Sequence, residues 1–76
     1  MQKITVFTLP NCKNCIKLKN YLNIKNIKYN LIDVSQNKKA LEYIKENRCK
    51  KAPSILINRT FICGFDKIKI DKILGN

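Results

Sequence analysis

The stretch "TLPNCKNCIKL", residues 8–18, decides the fold, because two cysteines stand there where one pattern gives way to another. Residues 4–7 before it are apolar and partly β-branched, which indicates a buried strand. Residues 12–26 have apolar side chains at helical spacing, with Cys15 and Leu18 on one face. The sequence therefore predicts a strand followed by a helix that begins at Cys12.

The rest of the chain predicts two further helices and three further strands. Each of these helices begins with a residue type that favours the N-cap, and residues typical of a turn separate the last two strands. A strand is predicted over 29–34, followed by a helix that is capped by Ser35 and has Ala40, Leu41 and Ile44 on its apolar face. Strands over 54–57 and 60–63 are joined at Asn58 and Arg59. A last helix is capped by Asp66 and has Ile70, Ile73 and Leu74 on its inward face.

This order, βαβαββα, predicts an α/β fold in a single domain over residues 1–76. The first βαβ unit implies a parallel strand pair with a right-handed crossover. The last two strands are close enough in sequence to form an antiparallel hairpin. We therefore expect a four-stranded mixed sheet with three helices on its faces.

The composition limits the class of partner. Lys and Arg number 16 against 5 Asp and Glu, a net charge of +11. The lysines are spread from Lys3 to Lys72 and never form a run longer than two, and the aromatic residues do not cluster among them. This pattern favours a solvated basic surface that attracts acidic partners, and not a nucleic-acid surface.

The compartment is predicted from the N-terminus and the cysteines. The chain begins MQKITVFT, without the long apolar segment of a signal peptide, and contains no long apolar run. We expect a cytoplasmic protein with no membrane association. Four cysteines in a reducing compartment favour catalysis or metal binding over a framework of structural disulfides. Histidine is absent, which excludes a Cys–His nucleophile pair.

Cys12 is the predicted nucleophile. At a helix start its side chain meets free backbone N–H groups and the positive end of the helix dipole, and Lys13 adds a neighbouring cation. Both features lower the pKa of a cysteine thiol. Cys15 lies one turn further on, within disulfide reach, and is expected to be more buried and to resolve the mixed disulfide formed by Cys12.

Three hypotheses compete for these cysteines. A redox dithiol is the usual interpretation of CxxC after the first strand of a βαβ unit. A zinc or iron–sulfur site would need Cys49 and Cys63 as further ligands, and their spacing is not that of a second CxxC. Two inert buried thiols are the third hypothesis, which the polar surroundings of Cys12 disfavour.

Three motifs resemble the glutaredoxin family of the thioredoxin fold, over nearly the whole chain. They are "VFTLPNCKNC" (6–15), "KKAPSILI" (50–57) and "ICGFDKI" (62–68). The resemblance implies thiol–disulfide oxidoreductase activity with Cys12 and Cys15 as catalytic residues and no bound cofactor. It also implies a cis peptide bond before Pro53. The substrate-binding residues that it indicates are Lys13, Ala52, Pro53, Gly64, Phe65 and Asp66.

The same resemblance implies partners. Substrates would be protein disulfides or glutathione mixed disulfides, and glutathione, or thioredoxin reductase with NADPH, would be the electron source. Lys13-Asn14 stands where many glutaredoxins have Pro-Tyr, and Leu9 where many have a lysine. The "CGF" stretch is closer to the small redoxins that supply electrons to ribonucleotide reductase, which makes that enzyme a candidate partner of a monomeric protein.

Two hypotheses apply to Cys63, which could be a third redox thiol that pairs with Cys12 under oxidation or a small, inert residue. It ends a strand without a helix start directly after it, which favours the inert residue. Cys49, between Arg48 and Lys50, is expected to be the more exposed of the two and the candidate for adventitious oxidation. We expect Cys12 and Cys15 alone to form a disulfide.

Overall fold

The computed structural model describes residues 3–75 and confirms the predicted fold class. Three helices and four strands follow one another in the predicted order. They are β1 (Ile4–Thr8), α1 (Lys13–Ile24), β2 (Asn30–Asp33), α2 (Lys38–Glu46), β3 (Ser54–Ile57), β4 (Thr60–Cys63) and α3 (Lys67–Leu74).

The four strands form one mixed sheet in the order β2-β1-β3-β4. β1 and β2 are parallel, whereas β1–β3 and β3–β4 are antiparallel. In the β3–β4 hairpin Ile57 faces Thr60 and Ser54 faces Cys63. Asn58 in the turn has a φ of 56°. The predicted parallel pair and hairpin are therefore both present.

Two apolar clusters cover the two faces of the sheet, because side chains alternate along each strand. In β1, Ile4 and Val6 enter one cluster and Phe7 the other. The first cluster packs α1 and α3 on the sheet, and the second packs α2 on the opposite face. The fully buried members of the first cluster include Leu18, Leu22, Ile55, Ile57 and Ile70.

The start of α2 differs from the prediction. Ser35 was expected to cap this helix, but it lies in a 3₁₀ turn over Val34–Gln36. Asp33 Oδ1 accepts hydrogen bonds from the Ser35 backbone N–H (2.9 Å) and from Ser35 Oγ (2.6 Å). Asn37 caps the helix instead, accepting the Ala40 N–H at 3.0 Å. The Asp33 carboxylate thus holds Ser35 in a local turn, and the N-cap of α2 lies two residues later than predicted.

The apolar face of α2 is also narrower than predicted. Ala40 and Ile44 are buried, but Leu41 is 38% exposed. In α3 the expectation is confirmed, since Ile70 is fully buried and Ile73 and Leu74 pack against the first cluster. No helix within residues 3–75 has both the length and the apolar character required to cross a bilayer.

Candidate redox site

Cys12 occupies the N-cap of α1, directly before the first helical residue. Its backbone is extended, with φ −100° and ψ 109°, as at most N-caps. Its Sγ accepts a hydrogen bond from the Cys15 backbone N–H at 3.1 Å. The sulfur therefore takes the place of the oxygen that usually satisfies a free N–H at a helix start.

Cys15 lies one turn deeper in the molecule. Its side chain is 1% exposed, whereas Cys12 is half-buried, as predicted. The two Cα atoms are 5.2 Å apart and the two sulfurs form a disulfide. The geometry therefore combines an accessible sulfur at a helix N-terminus with a shielded sulfur that can bond to it.

A cleft lies between the loop before β3 and the turn after β4. It encloses about 680 Å³. Four of the six predicted substrate-binding residues line it, namely Ala52, Gly64, Phe65 and Asp66. The structure thus brings together residues from two segments that the sequence places apart.

The other two predicted substrate-binding residues lie outside the lining. Lys13 is exposed at the first position of α1. Pro53 is buried, and the Ala52–Pro53 peptide bond is cis, as the resemblance implied. Asn14 and Lys67 line the cleft although neither was predicted to do so. Asn14 stands between the two cysteines and Lys67 follows Asp66, so the spacing of the motifs could have indicated both.

Gly64 and Asp66 shape one wall of the cleft. Gly64 has a φ of 84°, in the left-handed region that favours glycine. Asp66 caps α3, and its Oδ1 accepts the Lys69 backbone N–H at 3.1 Å. The prediction that Asp66 caps the last helix is therefore confirmed. Phe65 packs against Tyr21, with ring centroids 5.7 Å apart, which fixes the wall to α1.

The cleft has a basic rim. Lys51 and Lys67 line it beside a single acidic residue, Asp66. Lys67 Nζ lies 5.5 Å from the Tyr21 ring centroid, so that charge is partly engaged with an aromatic face. Lys51 forms no ion pair within residues 3–75. The cleft therefore favours ligands with a negative charge.

A separate depression of about 790 Å³ lies at the other end of α1.

The expected exposure and pairing of the other two cysteines are wrong. Cys49 is 5% exposed and belongs to the second apolar cluster, whereas Cys63 is exposed. The two form a second disulfide, with Cα atoms 5.6 Å apart. The apolar face of α2 buries Cys49 despite its basic neighbours Arg48 and Lys50.

The paired cysteines also bear on the metal hypothesis. A thiolate site of four ligands would require all four sulfurs to converge on one ion. Instead, Cys12 pairs with Cys15 and Cys49 with Cys63. Within residues 3–75 no group of three or more His, Cys, Asp or Glu side chains is placed to hold a metal ion.

Comparison with known proteins places the chain in a family. The glutaredoxin family model matches residues 4–62. A glutaredoxin-like 8.6 kDa protein in the rubredoxin operon of Clostridium pasteurianum is 33% identical, over 93% of this chain and 96% of that protein. Glutaredoxin 1 of Rickettsia conorii is 34% identical, over 100% of this chain and 84% of that protein.

Solved structures agree with this assignment. The glutaredoxin from Methanosarcina mazei Go1 superposes with a TM-score of 0.79 at 26% identity, over 97% of this chain and 79% of that one. NrdH-redoxin from Escherichia coli is 20% identical and gives a TM-score of 0.87 over 93% of each chain, which shows a shared fold. With the family model spanning β1 to β4 and the dithiol at the start of α1, the chain belongs to the glutaredoxin family.

Proposed function

We propose that this protein is a dithiol thiol–disulfide oxidoreductase that reduces disulfides through Cys12 and Cys15. Members of the glutaredoxin family are enzymes of this kind. The observation on which the proposal depends is the geometry at the start of α1. Cys12 is accessible and its sulfur accepts a backbone N–H, while Cys15 is buried one turn away.

The reaction takes place in two exchanges. The Cys12 thiolate attacks one sulfur of the substrate disulfide and expels the other as a thiolate, which leaves a mixed disulfide. The Cys15 thiolate then attacks Cys12 Sγ and expels the second substrate sulfur. The substrate gains two electrons, the enzyme loses two, and the Cys12–Cys15 disulfide is the oxidised product.

The cleft is the proposed binding site for the substrate. The backbone of Ala52 lies in its lining and is available to pair with an extended peptide. The turn at Gly64 admits a close approach because it has no Cβ. Lys51 is placed to attract a carboxylate, such as those of glutathione or an acidic peptide. Lys13, exposed at the first position of α1, adds positive charge directly after Cys12.

Protein disulfides and glutathione mixed disulfides are the proposed substrates, with ribonucleotide reductase as a candidate protein. Glutathione, or thioredoxin reductase with NADPH, would restore the dithiol, and no prosthetic group is required. The glutaredoxin-like protein NrdH-redoxin from Escherichia coli has a thioredoxin-like activity profile. This supports testing both reductants. We further propose that the protein acts in the cytoplasm as a monomer.

One coupled assay tests the function and identifies the reductant. A low-molecular-weight disulfide is supplied with NADPH and either glutathione plus glutathione reductase or thioredoxin reductase alone. NADPH consumption that depends on the protein in at least one system is expected. Cys12→Ser is the control in both systems, and equal consumption with this variant would contradict the proposal.

A further inference from the structure

Cys63 lines the proposed substrate cleft, and Cys49 lies two residues before Lys51, which lines the opposite wall. Cys49 follows α2, where its backbone N–H donates to the Ile44 carbonyl at 3.1 Å. It precedes the loop that contains Lys51 and Ala52. Cys63 ends β4 opposite Ser54 and directly precedes Gly64. A bond between the two sulfurs therefore joins the loop before β3 to the turn after β4.

The environments of these two cysteines differ in the same way as those of Cys12 and Cys15. Cys63 is exposed, on the edge strand of the sheet, whereas Cys49 is 5% exposed. Their Cα separation of 5.6 Å lies within the range of disulfides of about 4.4–6.8 Å. One sulfur is thus open to a reagent in solution and the other is shielded behind it.

Lys51 lies beside Gly64, the residue that follows the exposed member of the pair, and lines the same cleft as Cys63. A Cβ placed on Gly64, the residue after Cys63, would lie 3.6 Å from Lys51 Cδ. A nearby ammonium group favours the thiolate form of a cysteine. It would also attract an anionic disulfide such as oxidised glutathione.

We propose that Cys49 and Cys63 form a second thiol–disulfide couple, separate from Cys12 and Cys15, that low-molecular-weight disulfides oxidise. The Cys63 thiolate attacks one sulfur of the disulfide RSSR and expels RS⁻, leaving Cys63–SR. The Cys49 thiolate then attacks Cys63 Sγ and expels the second RS⁻. RSSR gains two electrons, the cysteine pair loses two, and two thiols RSH are released once protonated.

The bridge has a structural consequence that the first couple lacks. Cys49 and Cys63 are 14 positions apart, whereas Cys12 and Cys15 are 3 apart. A disulfide stabilises mainly by restricting the unfolded chain, and more so for a longer closed loop. Oxidation of the second couple therefore stabilises the fold and holds the two cleft walls at a fixed separation.

The test uses the full chain with Cys12→Ser and Cys15→Ser, which leaves only the second couple. The reduced double variant is incubated with oxidised glutathione, and its mass and disulfide peptides are determined. We expect a mass loss of two hydrogen atoms, a Cys49–Cys63 peptide and a rise in Tm of at least about 5 °C. Dithiothreitol should reverse all three changes.

Adding Cys49→Ala gives the matched control, which should stop at the glutathione adduct of Cys63. A stable adduct in the double variant without a Cys49–Cys63 bridge would overturn the proposal, as would a failure to react or a bridge without a change in Tm. If the double variant does not fold, the unmodified protein is titrated in glutathione redox buffers and its cysteines are mapped by differential alkylation. Two independently titrating pairs are then expected, and a Cys49 that remains alkylatable in the most oxidising buffer would overturn it.

Because these variants lack the first couple, the result does not depend on the proposed function. NADPH consumption by the Cys12→Ser variant equal to that of the unmodified protein would refute the role of Cys12 without affecting the second couple. Failure of the Cys49–Cys63 bridge to form would leave the role of Cys12 intact.

Discussion

The Cys15 backbone N–H donates a hydrogen bond to Cys12 Sγ, 3.1 Å away, so the two cysteines are linked through the backbone as well as through their sulfurs. The donor belongs to the first turn of α1, where N–H groups lack partners within the helix. A negative charge on Cys12 Sγ strengthens this bond, because hydrogen bonds to ionised acceptors are the stronger ones. A thiolate on Cys12, the proposed nucleophile, is thus stabilised by the start of the helix that contains Cys15.

This hydrogen bond predicts an acidic Cys12 thiol in the reduced protein. The N–H donor and the helix N-terminus both favour the thiolate, so the pKa of Cys12 should lie below the ordinary cysteine value of about 8.5. Above that lowered pKa, alkylation of Cys12 is fast, and it slows as pH falls through it. The rate of iodoacetamide modification against pH, located by peptide mapping, measures this. Buried Cys15 is the internal control, and a Cys12 midpoint at or above about 8.5 would contradict the prediction.

The basic rim of the cleft predicts an effect of Lys51 on substrate affinity. Lys51→Gln should raise KM for a glutathione mixed disulfide about two- to fivefold with little change in kcat, since an exposed charge pair contributes at most about 1 kcal/mol. Salt should reduce the difference between the variant and the parent protein. Lys28→Gln is the matched control, because Lys28 is exposed and lines the depression at the other end of α1. Equal changes in the two variants would show that net charge alone is responsible.

The backbone at Gly64 predicts a loss of stability on adding a side chain. With φ at 84°, alanine there is strained by about 1–2 kcal/mol, and Gly64→Ala should lower the free energy of unfolding by that amount. Urea denaturation of the parent and the variant measures it. Gly75→Ala is the matched control, since Gly75 has a similar φ of 81° but does not line the cleft. An unchanged free energy of unfolding in Gly64→Ala would contradict the strain argument.

Asp66 is predicted to act mainly through its cap on α3. Asp66→Ala removes the acceptor of the Lys69 N–H and should lower the free energy of unfolding by about 1 kcal/mol. Asp66→Asn keeps an acceptor and should retain most of that stability, because Asn and Asp rank together as N-caps. Thermal denaturation of both variants compares them. A loss in Asp66→Asn as large as in Asp66→Ala would assign the effect to the negative charge.

The sequence predicts the fold well where signals are local. A strand that ends before Cys12 and an N-cap at Asp66 each depend on a few adjacent residues. The inward face of α1 is likewise set by helical spacing, and Leu18 and Leu22 are fully buried as that spacing requires. The dithiol is predictable for the same reason, since both cysteines belong to one turn.

The sequence predicts less where distant or competing contacts decide. Asp33 engages Ser35 in a turn, so the cap of α2 moves to Asn37, and two acceptable caps in one segment cannot be ranked by propensity. The Cys49–Cys63 pair depends on where α2 ends and on the register that sets Ser54 opposite Cys63. Neither is encoded in the residues next to these cysteines, and the basic neighbours of Cys49 suggest an exposure that the structure does not show.

The different roles of Cys12 and Cys15 are the central claim, and trapping of mixed disulfides tests it most directly. Reduced Cys12→Ser and Cys15→Ser proteins are mixed with a disulfide substrate, and adducts are located by peptide mapping under non-reducing conditions. If Cys12 attacks and Cys15 resolves, Cys15→Ser accumulates substrate on Cys12, whereas Cys12→Ser forms no adduct at Cys15 and loses turnover. Equal residual turnover in the two variants, or a substrate adduct on Cys15 in Cys12→Ser, would contradict it.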